Sequence, residues 1–284
     1  MKDRHTRHEN GANRRRRRGA FTLIELLVVV AIIALLMAIL MPALQRVKKQ
    51  AGSVACQSNL KQMGLVVSMY TEDYDGKFHQ EVGFPQDGPE NSWVYAMRPY
   101  YSHEPEIRNC PLVNHFYSDT RRGGPFVGWG VYGEDGYSTP GWAITGDYGS
   151  YGWNWWLCDQ FQSSEADKYW KNINSIKGSR DEIPMFVDAL WVDALPRPTD
   201  QPPGGYYTFI DRSMGSFCID RHNGCVNGVF VDFSVRSIGL KELWELRWYR
   251  GWPADRQAAG TPVWPDWMRN FRDYAPEFIS PLAN

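Results

Sequence analysis

The sequence predicts an α+β protein in which one long N-terminal helix packs on an antiparallel β-sheet. Two observations predict the helix: an apolar run covers residues 21–44, and an amphipathic helical pattern continues it over residues 45–75. A third observation predicts the sheet. After residue 75 the chain contains short runs rich in aromatic and β-branched residues, separated by Gly and Pro, as is typical of strands and turns.

The apolar run Phe21–Leu44 is long enough to cross a membrane. A helix of its 24 residues covers about 36 Å, more than the roughly 30 Å hydrocarbon core of a bilayer. Its one ionisable side chain is Glu25, and a carboxylate in lipid normally has a partner or a function. Five consecutive arginines, Arg14–Arg18, precede the run. They predict that the N-terminus stays in the cytoplasm and that the chain after Leu44 lies outside.

Residues 45–75 predict the amphipathic half of the same helix. Side chains suited to packing recur at spacings of four and three residues, which places them on one stripe. Pro42 removes one backbone hydrogen bond and is expected to bend the helix, and Asp75-Gly76 predicts its C-terminal end. The stripe consists of Cys56, Leu60, Met63, Val67, Tyr70 and Tyr74.

Residues 76–284 predict one globular domain, because 284 residues with 43 % hydrophobic content allow an anchor and one sizeable core. Strands are expected over residues 126–132, 148–156 and 183–189, and short helices over 163–172 and 240–249. Val226–Val231 and Ser234–Ile238 predict a hairpin that turns near Asp232-Phe233. Strand alternation would place Trp153 and Trp155 on one face and Trp156 on the other. We expect these rings to pack in the core.

The charge distribution argues against a nucleic-acid partner. Residues 1–20 carry eight basic and two acidic side chains, which gives this leader a charge of +6. The remaining residues carry 23 basic and 30 acidic side chains, which gives the rest of the chain a charge near −7. Binding to phosphates requires clustered positive charge, so the exported part does not fit a nucleic-acid-binding protein.

The N-terminal segment resembles that of type IV pilins and type II secretion pseudopilins. Residues 18–27, RGAFTLIELL, are similar to the class III signal peptide of that family, in which prepilin peptidase cuts before an apolar residue and Glu stands at mature position five. Cutting after Ala20 makes Phe21 the first residue and Glu25 the fifth. Cutting after Gly19 would make the acid the sixth residue, so we expect the Ala20–Phe21 bond to be cut. Ala20 departs from the glycine that usually precedes the cut.

Two alternatives for this segment fit less well. A secretory signal peptide has an apolar core of about 7–15 residues and a cleavage site behind it, whereas this run is longer and continues into a helix. An ordinary single-span anchor fits the length but does not explain Glu25.

The resemblance implies a pilin-like fold and a structural role rather than an enzymatic one. Residues 1–20 would be a cytoplasmic leader, residues 21–44 the membrane and assembly half of the helix, and residues 45–75 its amphipathic half. The expected partners are prepilin peptidase/N-methyltransferase, other pilin or pseudopilin subunits, and the inner membrane. Phe21 would be N-methylated, Glu25 would neutralise the amine of a neighbouring Phe21, and Pro42 would take mature position twenty-two. The alternative is a membrane-tethered envelope protein that does not polymerise and binds polysaccharide through a Trp-rich face.

Further motifs resemble a subgroup of pseudopilin-like proteins. The helix segment that begins Cys56-Gln-Ser-Asn-Leu-Lys-Gln, the Cys110-Pro pair and the segment 150–154 have counterparts there. The subgroup is recognised by a His, nine intervening residues and Asp-Gly. His222 and Asp232 keep that spacing, but Phe233 replaces the glycine. Since a residue with φ > 0 is expected at this turn, we predict a hairpin with a wider loop or a bulge.

The sequence predicts no cofactor, no metal ligand and no enzymatic constellation. His222 and Asp232 are the best candidates for catalysis or metal binding, but no cysteine or histidine cluster stands nearby in sequence, so we expect Asp232 to cap the turn. Cys110 and His115 are too isolated for a zinc site. An oxidising compartment permits disulfides. A Cys56–Cys110 bridge and a buried Cys56 thiol remain equally open, and Cys218–Cys225 is a second candidate pair.

Overall fold

The computed structural model describes residues 22–80, 92–101, 105–116, 123–130, 146–159, 164–205, 212–253 and 262–272. The chain divides into two compact units, residues 1–47 and residues 48–284. The helices are α1 (Leu23–Asp73) and α2 (Trp93–Ala96), with short 3-10 helices between later elements. The strands are β1 (Trp129–Gly130), β2 (Tyr148–Gly149), β3 (Tyr151–Asn154), β4 (Pro184–Asp188), β5 (Asp193–Ala194), β6 (Cys225–Phe230) and β7 (Val235–Gly239).

The first unit contains the apolar start of α1. This part of the helix is long and apolar enough to cross a membrane, and no residue of its most apolar window is buried. Its large apolar side chains are mostly half exposed or more, from Leu23 at 76 % to Leu44 at 67 %. The helix continues through Pro42. A surface of this kind is unfavourable in water and suits lipid or other apolar helices.

The second unit is built on a five-stranded sheet with the strand order β5-β3-β4-β6-β7. Neighbouring strands are antiparallel except β3 and β5, which pair in parallel through Trp153 and Asp193. The sheet is therefore the expected antiparallel one with a parallel pair at one edge. The chain from Lys48 onward, including the second half of α1, forms one unit with this sheet.

The second half of α1 buries the predicted stripe. Cys56, Leu60, Met63, Val67 and Tyr70 are buried and share one core cluster with residues of the sheet. Among these sheet residues are Tyr151, Trp153, Phe186 and Val229. Tyr74 is the exception among the predicted members. The residue is 52 % exposed because the helix ends one position earlier, at Asp73.

A glycine turn ends the helix as predicted. Asp75 and Gly76 have φ values of 54° and 82°, and the Gly76 amide donates to the Thr71 carbonyl at 2.6 Å. A left-handed residue that closes the last turn in this way is the usual C-terminal stop of a helix.

A second core cluster consists mainly of aromatic and aliphatic side chains from the C-terminal third of the chain. Val187, Val226, Phe230 and Ile238 contribute to it from the strands. Because Val229 belongs to the α1 cluster and Phe230 to the second cluster, adjacent residues of β6 point to opposite faces of the sheet.

The tryptophan prediction was correct for burial and wrong for the faces. Trp153, Trp155 and Trp156 are all buried, so these rings do not form the exposed Trp-rich face that the polysaccharide-binding alternative requires. Trp153 lies in the α1 cluster, whereas Trp155 and Trp156 both lie in the second cluster. The alternation fails because β3 ends at Asn154 and the chain turns there.

The predicted short helix over 163–172 was wrong for its described residues, and the one over 240–249 was wrong in extent. Residues 164–168 form turns, and a 3-10 helix follows at Ile173–Ser175. Residues 240–249 contain only the 3-10 helix Glu242–Trp244.

The β6–β7 hairpin has the wider loop that the sequence predicted. The Phe230 amide donates to the Ser234 carbonyl at 2.9 Å, and the Phe233 amide donates to the Phe230 carbonyl at 2.8 Å. Residues 231–233 thus form a three-residue loop whose last member, Phe233, has a φ of 65°. This is the left-handed position where such loops usually place glycine. The half-buried Phe233 ring packs against the α1 cluster, and Lys61 of α1 donates to its carbonyl at 2.8 Å.

Candidate functional site

The predicted cleavage residues Gly19, Ala20 and Phe21 lie outside the described residues. Glu25 is described and lies in the first turn of α1. The structure therefore shows the position of Glu25 in the helix, while the predicted cleavage at Ala20–Phe21 stays a prediction.

Glu25 forms a capping box with Thr22. The Thr22 amide and hydroxyl both donate to the Glu25 carboxylate at 2.8 Å, and the Glu25 amide donates to the Thr22 hydroxyl at 3.2 Å. This reciprocal arrangement satisfies amides at the start of a helix that have no partner within it. This capping box was not predicted above, although Thr-x-x-Glu before an apolar run is its known sequence signature.

His222 and Asp232, the two residues of the spaced motif, do not act as a pair. They lie beyond opposite ends of the six-residue strand β6, which is about 20 Å long at 3.3 Å per residue. Asp232 accepts hydrogen bonds from the Ser234 amide at 2.9 Å and from its hydroxyl at 2.6 Å, so it caps the turn as expected. His222 instead faces Asp188 at the end of β4, with 3.1 Å between Nε2 and Oδ2.

Four potential ligand atoms converge around His222. They belong to Cys56 of α1, Cys110, Asp188 and His222, and all lie within 4.8 Å of one another. The Cys110 sulfur lies 3.4 Å from His222 Nε2, and the Cys56 sulfur lies 3.8 Å from each Asp188 carboxylate oxygen. The His222 side chain is 3 % exposed, and the other three residues are 1 % exposed or less. We call this group the Cys–His–Asp cluster.

Both cysteines of this cluster are free thiols in the structure, as are Cys158, Cys218 and Cys225. The structure thus brings the predicted Cys56–Cys110 pair together without a bond between the sulfurs. Cys218 donates to the Met268 sulfur at 3.7 Å and is not bonded to Cys225.

Arg221 supports the cluster from a fully buried position. Its guanidinium donates to Asp188 Oδ1 at 2.7 Å and to the carbonyls of Pro125, Ser150, Gly124 and Ala189. The Asn227 amide donates to Asp188 Oδ2 at 2.8 Å. These donors hold the carboxylate in one orientation, since a buried charge needs a paired charge and satisfied hydrogen bonds.

The electrostatics favour negative charge on Cys110 and Asp188. Burial opposes ionisation of Asp188, but the charges of His222 and Arg221 outweigh it and lower the pKa of that carboxyl to about 2. Burial likewise opposes protonation of His222, yet Asp188 raises the pKa of the imidazole to about 9. Burial also opposes ionisation of Cys110. Hydrogen bonds from Cys56 and His222 and the charge of Arg221 outweigh this effect, so the pKa of Cys110 is lowered.

Cys56 behaves differently from Cys110. Burial raises the pKa of the Cys56 thiol well above its ordinary value, and the Tyr151 hydroxyl, 3.3 Å from the sulfur, opposes this rise only in part. The cluster therefore pairs one sulfur whose pKa is lowered with one whose pKa is raised.

Sequence reasoning identified three members of the cluster separately and missed the fourth. Cys56 and Cys110 were named as a candidate pair and His222 as a motif residue, whereas Asp188 was read only as part of a buried strand. The available signal was an aspartate at the end of a strand whose other residues, Pro184–Val187, are apolar. Such a carboxylate is buried and therefore needs a partner from elsewhere in the chain.

A family model described as the prokaryotic N-terminal methylation motif matches residues 15–41. No curated protein and no solved structure matches the chain. The matched residues contain four of the five arginines, the predicted cleavage bond, Glu25 and most of the apolar segment. The match supports the resemblance of this N-terminal segment to that of type IV pilins and pseudopilins, and the segment is of the kind that prepilin peptidase processes.

Proposed function

We propose that the chain is a structural subunit that is cut between Ala20 and Phe21, methylated on Phe21 and assembled into a type II secretion pseudopilus or a type IV pilus-like filament. The observation that carries this proposal is the N-terminal methylation motif over residues 15–41. It leads directly into a helix whose apolar half is unburied within its own chain. Such a helix half needs lipid before assembly and neighbouring helices after it.

Orientation follows from the charges that flank the apolar segment. The leader carries the five arginines Arg14–Arg18, which keep it in the cytoplasm, so the unit from Lys48 onward lies outside the inner membrane. This topology leaves the tryptophan-rich part of the chain on the exported side.

Glu25 has two separable roles in this proposal. Its carboxylate caps α1 through Thr22, and its negative charge neutralises the amine of Phe21 in an adjacent subunit. The second role sets the axial register of subunits as they leave the membrane, because an uncompensated charge in apolar surroundings is costly.

Substitutions at the capping box separate these roles. Glu25→Gln retains an oxygen that can accept from Thr22 but removes the charge, whereas Thr22→Ala removes the hydroxyl of the cap and keeps the charge. We expect Glu25→Ala and Glu25→Gln to be cut normally but to be lost from filaments sheared off cells, and Thr22→Ala to be cut and incorporated. Immunoblots of the sheared fraction measure incorporation, and mass spectrometry of the mature N-terminus measures cleavage.

Three results would count against the proposal. Normal incorporation of Glu25→Gln together with loss of Thr22→Ala would assign Glu25 to helix capping alone. A mature N-terminus other than Phe21 would refute the cleavage site. Recovery of the processed wild-type protein in membranes only, under conditions where filaments form, would favour the tethered envelope protein that does not polymerise.

A further inference from the structure

We propose that Cys56, Cys110, Asp188 and His222 bind a structural Zn²⁺ ion inside the exported unit. This site goes beyond the proposed role in filaments and does not depend on it, because all four ligands lie in the unit from Lys48 onward. It also reverses the expectation from sequence that the chain contains no metal ligand.

The residue types suit zinc. Zinc binds cysteine sulfur, histidine nitrogen and carboxylate oxygen, and structural sites use four such ligands in a closed, tetrahedral arrangement. The cluster supplies two sulfurs, one imidazole nitrogen and one carboxylate, and all four side chains are buried. Thiolates disfavour Mg²⁺ and Ca²⁺, which prefer oxygen ligands.

The distances between ligand atoms fit a tetrahedron around one ion. Zinc–ligand bonds of about 2.0–2.3 Å imply separations of about 3.3–3.8 Å between neighbouring ligand atoms. The structure has 3.4 Å from Cys110 to His222, 3.1 Å from His222 to Asp188 and 3.8 Å from Asp188 to Cys56. The remaining separations are below 4.8 Å.

The surrounding residues complete the site. Arg221 and the Asn227 amide orient the Asp188 carboxylate, and the Tyr151 hydroxyl lies 3.3 Å from the Cys56 sulfur, where it can donate to a thiolate. Donors of this kind orient metal ligands and tune them. Charge also balances: two thiolates and one carboxylate carry −3, which Zn²⁺ and the buried Arg221 neutralise.

A disulfide between Cys56 and Cys110 is the competing arrangement. It would use two of the four converging groups and would leave His222 Nε2 paired with Asp188 alone. Zinc accounts for all four groups. The ligands come from α1, from the segment before Pro111, from the end of β4 and from the segment before β6, so one ion would fasten α1 to the sheet.

The test measures zinc in the full-length protein purified in detergent without chelators. We expect about one zinc per chain, strongly reduced occupancy in Cys110→Ser and His222→Ala, and higher occupancy in His222→Cys than in His222→Ala. Cys218→Ser is the matched control, because it removes an equally buried thiol that belongs to the other core cluster. It should bind zinc like the wild type.

A second measurement does not depend on the folding of variants. The wild-type chain is stripped with a chelator under reducing conditions and titrated with Co²⁺, which should give thiolate-to-cobalt absorption that saturates at one equivalent and is reversed by Zn²⁺. Three results would overturn the site: no such absorption, wild-type zinc occupancy in His222→Ala, or zinc-free wild-type protein whose peptide map shows a Cys56–Cys110 disulfide.

Discussion

Phe233 is in a backbone conformation that favours glycine, which makes it a direct test of how the hairpin is built. Its φ of 65° lies in the left-handed region. For a residue with a Cβ atom, this conformation lowers the free energy of unfolding by about 1–2 kcal/mol. Glycine avoids that strain but lowers the free energy of unfolding by about 0.4–1 kcal/mol, because its unfolded chain has greater conformational freedom. We therefore expect Phe233→Gly to be more stable than Phe233→Ala by about 0.5–1 kcal/mol.

The same structure predicts the stability of both variants relative to the wild type. Truncation of a fully buried Phe to Ala costs about 3–5 kcal/mol, and the half-buried Phe233 ring should contribute about half of that. The expected losses in the free energy of unfolding are about 2 kcal/mol for Phe233→Ala and about 1–1.5 kcal/mol for Phe233→Gly. Phenylalanine is thus the most stable of the three residues at this position, because the packing of its ring outweighs the backbone strain.

Urea unfolding of the full-length protein in detergent, followed by tryptophan fluorescence, measures these values. All 13 tryptophans lie between Trp93 and Trp267, so the signal reports on the unit from Lys48 onward alone. Arg236 in β7 is the control position, since glycine weakens an ordinary strand and Arg236→Gly should be less stable than Arg236→Ala. Equal stability of the two Phe233 variants, or greater stability of Phe233→Ala, would refute the strain argument.

Two further predictions concern buried ionisable side chains. Arg221→Met removes the buried guanidinium that pairs with Asp188, leaves His222 as the cation beside that carboxylate and should lower the free energy of unfolding by about 3–5 kcal/mol. Arg269→Met, at the exposed Arg269–Asp266 pair, is the control and should change it by about 1 kcal/mol or less in the same assay. Burial, opposed only in part by Asp193, lowers the pKa of His79 to about 3. The unfolded chain takes up that proton near pH 6.5, so stability is full above pH 6.5, falls as the pH drops toward 3 and is about 2 kcal/mol lower at pH 5. His79→Phe should remove this part of the acid sensitivity, and an unchanged difference between pH 7 and pH 5 would contradict it.

The parts of the fold that depend on local pattern were predictable from sequence. The stripe on α1 and its Gly76 stop follow from helical periodicity and from glycine's access to positive φ, and the β6–β7 hairpin follows from two short apolar runs around a turn. The prediction that Tyr74 belongs to the packing stripe was wrong, because periodicity alone does not mark the residue at which a helix ends. Trp155 was placed on the wrong face because β3 ends one residue before it.

The cluster was not predictable in the same way, because its members are brought together by tertiary structure. Cys56 and Asp188 are separated by 132 positions in sequence and meet only when α1 lies on β4. The role of Arg221 was equally unpredictable, since nothing in the neighbouring sequence indicates that its side chain binds four carbonyls and a carboxylate. The capping box at Thr22 and Glu25 is the opposite case, a local signature that was present in the sequence and overlooked.

The spacing between His222 and Asp232 is explained by the way the segments before and after β6 contact α1. The segment before β6 places His222 against the cluster that contains Cys56, and the loop after β6 places Phe233 beside Gly64 of the same helix, where a Cβ atom would lie 3.7 Å from the Phe233 ring. The nine intervening residues thus bring two points of the hairpin to two points of α1. A one-residue deletion between them would reverse the faces of part of β6, moving either His222 from Asp188 or Val229 from the helix. The spacing of the motif therefore matches the length of β6 beside α1, and His222 and Asp232, at its two ends, have separate roles.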